Sequence, residues 1–169
     1  MIRNENMTSI HTYAGYRYLC EFAEKSRNMF VPCSEAEIGE VINDKHVPMA
    51  FLEFLRLMGK GKNCRSNYFK CVSNYYLFYP QIVNLTIEVR ELLREDNIKI
   101  SLDKEAFVFM IDNQGVQWFF FRLDEGDNPP VYMYTEARED RFDKICDSYT
   151  DFITGIAKAD STILHRLFG

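Results

Sequence analysis

The stretch 105–135, EAFVFMIDNQGVQWFFFRLDEGDNPPVYMYT, constrains the fold more than any other part of the chain. Two dense runs of aromatic and β-branched residues flank a short Asp-Asn-Gln-Gly turn, and a third run follows an acidic loop that ends in Asn-Pro-Pro. Strand-forming runs bounded by turn residues predict three antiparallel strands, over 106–112, 116–123 and 131–135, joined as a meander. Gly115 supplies the positive φ that a tight turn needs. Pro129 and Pro130 force an extended backbone and forbid helix on either side, so the loop from Asp124 to Pro130 is expected to hold a fixed shape. Phe109, Phe119, Phe121 and Tyr132 are the core or cross-strand candidates, with register deciding which way each faces.

Helical signals surround this meander. Ile10, Tyr13, Ala14, Leu19 and Cys20 recur loosely at helical spacing, which predicts an amphipathic helix over 10–26. Ser34 with Glu37 three residues later is a capping-box pattern, so a helix is expected over 35–43. Pro48 suits the first turn of a second helix, over 49–58, which presents Phe51, Phe54, Leu55 and Met58 on one face and stops at Gly59. Lys60, Gly61, Lys62 and Asn63 then read as a polar turn. Residues 64–79 are aromatic without clean periodicity and receive no assignment. Ile82, Leu85, Val89, Leu92 and Leu93 fit a helix ending near Asp96, and Ser148 followed by Asp151 caps a last helix over 149–158. The order is that of a single α+β domain with a central antiparallel β-sheet and helices packed around it. Residues 1–30 are expected to form an N-terminal helical arm and residues 31–169 the domain proper.

Two blocks carry a resemblance to a known family. One is Ser-Glu-Ala-Glu-Ile at 34–38, followed by Val47-Pro48, Phe54-Leu55 and Gly59; the other is Val108-Phe109, Gly115, Phe119 to Phe121, Asp127 and Pro-Pro-Val-Tyr at 129–132. With Ser-Tyr-Thr-Asp-Phe at 148–152 as a closing helix, the chain resembles the SUKH superfamily over residues 34–160. That superfamily includes fungal cell-wall-synthesis regulators and many bacterial immunity proteins. The chain departs from it in the longer arm and in Val47, where the family more often has Leu before Pro. The resemblance implies the α+β fold and a protein that acts by binding other proteins.

Composition agrees with one ordinary globular domain: 169 residues with 47% hydrophobic content can bury about 70% of the unfolded surface without staples. No stretch approaches the roughly 20 apolar residues of a membrane helix. Charges interrupt the N-terminus where a leader would be apolar, so a cytoplasmic protein is expected. The five cysteines, Cys20, Cys33, Cys64, Cys71 and Cys146, are odd in number and scattered, which reads as reduced packing residues. His11, His46 and His165 lie apart and read as surface or turn histidines. Cys64 and Cys71 are too widely spaced for a metal ribbon, the acids of 124–127 lack the calcium-loop pattern, and Gly59, Gly61 and Lys62 lack the full phosphate-loop spacing. No metal, no cofactor and no catalytic set is expected.

Charge position carries the functional signal. Residues 1–75 hold ten Lys/Arg against eight Asp/Glu, whereas residues 76–169 hold ten against seventeen. Within 124–160 there are ten acids and four bases, enough to account for the net charge of −5. Direct nucleic-acid binding is disfavoured, because phosphate is held by Lys and Arg. An acidic surface suits a basic protein partner, and it also serves plain solubility. Asp124, Glu125, Asp127, Glu136, Glu139, Asp140 and Asp143 are therefore the candidate partner-binding residues, with Tyr132, Tyr134 and Tyr149 as aromatic anchors if exposed. Given the resemblance, the leading reading is a monomeric, non-enzymatic immunity protein that binds and occludes a basic toxin domain, often a nuclease. The alternative is an intracellular regulatory module like the fungal members.

Overall fold

The aromatic run builds the sheet expected of it. A computed structural model describes residues 15–61, 75–96, 98–112, 114–136 and 141–158. Strands β4 (Ala106–Asp112), β5 (Gln117–Arg122) and β6 (Val131–Thr135) pair antiparallel in succession, as predicted. The sheet extends beyond them at both edges, with β3 (Tyr75–Tyr76) beside β4 and β7 (Asp143–Cys146) beside β6, giving the order β3-β4-β5-β6-β7. A two-stranded ribbon joins β1 (Phe30–Val31) to β2 (Lys60–Gly61). The polar turn expected at Lys60 and Gly61 is thus corrected to a strand, because Phe30 and Val31 offer those residues a backbone partner. Lys62, Asn63 and residues 64–74 lie outside the described residues, as do 10–14 of the predicted N-terminal helix.

Among the described residues five helices pack with the sheet: α1 (Tyr16–Lys25), α2 (Glu35–Ile42), α3 (Met49–Met58), α4 (Leu85–Glu95) and α5 (Tyr149–Lys158). The capping box at α2 is complete. Ser34 Oγ accepts the Glu37 N–H at 3.3 Å, and the Glu37 carboxylate accepts the Ser34 N–H at 2.7 Å. Pro48 is the N-cap of α3 rather than a first-turn residue, and Gly59 caps its end. A Cβ on Gly59 would lie 2.5 Å from Cys33 Sγ, so this helix end and the strand-to-helix link must approach closely. The fourth helix starts three residues later than its apolar pattern, since Asn84 at φ 68° sets the boundary and leaves Ile82 buried just before it.

One face of the sheet packs on helices through phenylalanine rings. Register shifts between Val108 and Met110, and Phe107 and Phe109 both stack on Phe121 with centroids 5.3 and 5.4 Å away. Phe51 of α3, with Tyr149 and Phe152 of α5, meets this layer largely edge-on, the preferred arrangement for aromatic quadrupoles. The first helix joins the same core through Leu19, Phe22 and Ala23. It is tied to α3 by Tyr16 Oη donating to Glu53 at 3.0 Å. Gly15, at φ 83°, lies so close to α5 that a Cβ there would be 2.6 Å from Thr154 Oγ1. The other face carries Trp118, Phe120, Tyr132 and Tyr134, and Phe142 crosses Trp118 and Phe120 edge-on. Beyond the two residues of β3, the outer edge of β4 is met by α4, where the buried Thr86 hydroxyl accepts the Val108 N–H at 3.0 Å.

Candidate partner-binding site

The loop between β5 and β6 holds its shape by capping two helices. Pro48 offers α3 no side-chain cap, and the Asp127 carbonyl accepts the Ala50 N–H at 2.9 Å instead. The next residue, Asn128, accepts the Thr150 N–H at 3.0 Å and donates to Thr150 Oγ1 at 2.9 Å, while Ser148 Oγ accepts the Asp151 N–H at 3.1 Å. Gly126, at φ 87°, makes the bend, and Pro129 is buried. The loop is thereby fixed to the helix layer, and its acids are carried on a rigid support.

Antiparallel order places the chain segments 101–105, 122–128 and 147–148 together at one end of the sheet, because Ala106 pairs with Arg122 and Val131 with Cys146. Asp124, Glu125 and Asp127 lie there, and the structure adds Asp103 and Asp147 to them. At their centre is Arg122. Its guanidinium forks onto Asp124 at 3.2 and 3.4 Å, makes a short ion pair with Asp103, and stands 3.9 Å from Glu125. The hydrogen bonds from Arg122 hold the Asp124 carboxyl below the usual carboxylate range. Asp103 is itself anchored, its carbonyl accepting from Arg90 at 2.7 Å. Tyr132 Oη donates to Glu125 Oε1 at 2.9 Å, while Glu125 Oε2 is buried without a hydrogen-bond partner. Burial, and then Glu125, push the Tyr132 phenol upward. With Phe120 and Phe142 these groups line an open depression of about 490 Å³.

The remaining candidates do not join this group. Glu136 follows the far end of β6, where its N–H meets the Val116 carbonyl at 2.9 Å. A five-residue strand puts it roughly 17 Å from the acids of the loop, at about 3.4 Å per residue. Asp143 opens β7 opposite Met133 and pairs with Arg141 at 3.2 Å. Glu139 and Asp140 lie outside the described residues. The expected continuous negative surface at one end of the sheet is therefore corrected to a smaller cluster, since strand direction separates Glu136 from the rest. Two aromatic candidates are also corrected: Tyr134 and Tyr149 are 2% and 1% exposed and belong to the core, whereas Tyr132 is half-buried at the depression. Sequence reasoning missed Arg122, Asp103 and Phe142. Arg122 has a local signal in the acids two and three residues later, but Asp103 reaches it only through strand register.

His46 is exposed, as a surface histidine is, and Cys20, Cys33 and Cys146 are thiols, with Cys33 and Cys146 buried. Burial pushes the Cys33 thiol up to about 11. Among the described residues no helix is long and apolar enough to cross a membrane.

A family model described as SMI1-KNR4 cell-wall, SUKH_6, matches residues 40–153, from within α2 to within α5. The chain belongs to the SUKH superfamily. A comparison with curated proteins found none that matches. The matched span holds the whole five-stranded sheet, so the acidic end and the depression are parts of the SUKH domain itself. Most of α2 and all of α1 precede it.

Proposed function

We propose that this SUKH domain is a non-enzymatic, cytoplasmic binding protein that acts as a monomer and docks a basic protein domain on its acidic end. In the fullest form of the reading it is an immunity protein. It occupies the surface with which a toxin, such as a nuclease, holds phosphate, and it performs no turnover of its own. A nuclease needs Lys and Arg to bind its substrate, and a carboxylate surface competes for the same groups. The observation that carries the reading is the convergence of Asp103, Asp124, Glu125, Asp127 and Asp147 at one end of the sheet, where Arg122 pairs with Asp103, Asp124 and Glu125 and Lys144 with Asp147. Complementary charge of this kind raises the encounter rate and is weakened by salt.

The test is association with the basic protein encoded beside this chain, followed at two salt concentrations. The native protein is compared with a variant carrying Asp127→Lys and Asp147→Lys, both solvent-facing positions. Slower association and a flatter salt dependence in the variant support the docking face, with roughly tenfold the expected difference at low salt. Equal rates reject it. Failure to bind any such neighbour moves a second reading ahead, that of a regulatory module. The description of the matching family as SMI1-KNR4 cell-wall favours that alternative.

A further inference from the structure

The depression beside the acidic end has a composition that acidity alone does not explain. Its floor is aromatic. Phe120 and Tyr132 stack with centroids 5.3 Å apart, and Phe142 stands edge-on to Phe120 at 4.9 Å. Its rim is carboxylate: Asp103 and Asp124 are bonded to Arg122, and Glu125 is bonded to Tyr132. Three carboxylates face one guanidinium, so negative charge remains in excess. Accepting capacity remains as well, because the Asp103 and Asp124 side chains are 45% and 51% exposed and a carboxylate oxygen can accept more than one hydrogen bond. Aromatic rings beside partly exposed carboxylates attract a flat cation.

We infer that this depression, walled by Phe120, Tyr132 and Phe142 and rimmed by Asp103, Asp124 and Glu125, receives an arginine side chain of the protein partner. The inference rests on the docking reading above and names the chemistry of its anchor. Arginine fits better than lysine for two reasons. Its planar guanidinium stacks on an aromatic ring while its N–H groups fork onto carboxylates, and it surrenders hydration more readily than an ammonium. The native Arg122 does not fill the role, since it forms part of the wall and fixes Asp103 and Asp124 in place. An anchor of this type, central and desolvated, is where binding energy concentrates in a protein interface.

The probe is N-acetylarginine amide, titrated into isotopically labelled protein at low salt and followed by NMR. N-acetylglutamine amide and N-acetylphenylalanine amide serve as controls. The expected result is a saturable shift at the Arg122 Nε–H and at the Glu125 and Tyr132 amides, at least fivefold tighter for arginine than for glutamine. A Glu125→Gln, Tyr132→Leu double variant with a preserved spectrum should bind the probe about tenfold more weakly. Tyr132→Phe, which keeps the ring, should retain most of the binding. Equal responses to arginine and glutamine, shifts elsewhere only, or tighter saturation by the phenylalanine amide would each overturn the arginine pocket. If the pocket fails while a basic partner still binds with salt dependence, the docking face survives without this anchor. If the probe binds here while charge reversal leaves partner association unchanged, the docking reading fails and the arginine site stands.

Discussion

Asn128 and Thr150 form a two-way clasp: the Asn128 carboxamide accepts the Thr150 N–H at 3.0 Å and donates to Thr150 Oγ1 at 2.9 Å. One side chain thus satisfies the start of α5 and fastens the β5–β6 loop that carries Asp124, Glu125 and Asp127. Asn128→Ala should lower stability by about 1–3 kcal/mol, because a partly buried helix N–H loses its acceptor and the Thr150 hydroxyl is left with Ser148 Oγ alone, at 3.3 Å. Asn128→Asp, which retains the acceptor, should cost less. Denaturant midpoints measure both, and an alanine variant as stable as the native protein would show that the loop does not depend on the clasp.

Thr86 makes the second test. Its hydroxyl is the acceptor for a buried strand N–H, that of Val108. Thr86→Val keeps the volume and removes the acceptor, so a loss of roughly 1–3 kcal/mol is expected. Thr86→Ser keeps the oxygen and loses one methyl group, about 1 kcal/mol. Faster hydrogen exchange at Val108 in the valine variant, relative to serine, would locate the effect at this edge. Comparable stability of the valine variant and the native chain contradicts it.

The capping carboxylate of α2 predicts a pH dependence. Lys60 Nζ donates to Glu37 at 2.8 and 3.0 Å, and this contact is the main cause that lowers the Glu37 pKa, followed by the Ser34 N–H. A group depressed in the folded state stabilises the fold above its unfolded value, roughly 4.3, and loses that contribution as pH falls through the folded value. The native protein should therefore exceed Lys60→Met in stability at neutral pH, with the gap narrowing below about pH 4. Midpoints at pH 7 and pH 3 compare the two chains. A gap of the same size at both pH values would remove Glu37 as its source.

Parts of this architecture were legible because their signals are local. The strands β4 to β6 announce themselves in aromatic runs, and Ser34 with Glu37, or Ser148 with Asp151, marks a helix start within four residues. Gly59 reads as a helix stop, although the reason for glycine there is its closeness to Cys33, which no spacing reveals. The two-residue strands at Phe30, Lys60 and Tyr75 are too short to have a period, and each depends on a partner far along the chain. The acidic cluster was half legible. Acid enrichment after residue 123 pointed to Asp124, Glu125 and Asp127, yet their association with Asp103 and separation from Glu136 follow from strand direction. The burial of Tyr134 and Tyr149 likewise follows from tertiary packing that an aromatic residue does not disclose by itself.

The meander has a consequence for how the chain reaches its native state. From β4 to β7 every strand pairs with its neighbour in sequence, so each hairpin closes only a short loop and loses little chain entropy in doing so. The aromatic sheet can grow by successive local steps, the kind of topology that folds quickly. The contacts between α1 and α5 are different, joining the two ends of the described chain. Closing that long circuit costs more chain entropy than closing any hairpin of the meander, so the ends of the described chain are held by the entropically dearest contact in the fold.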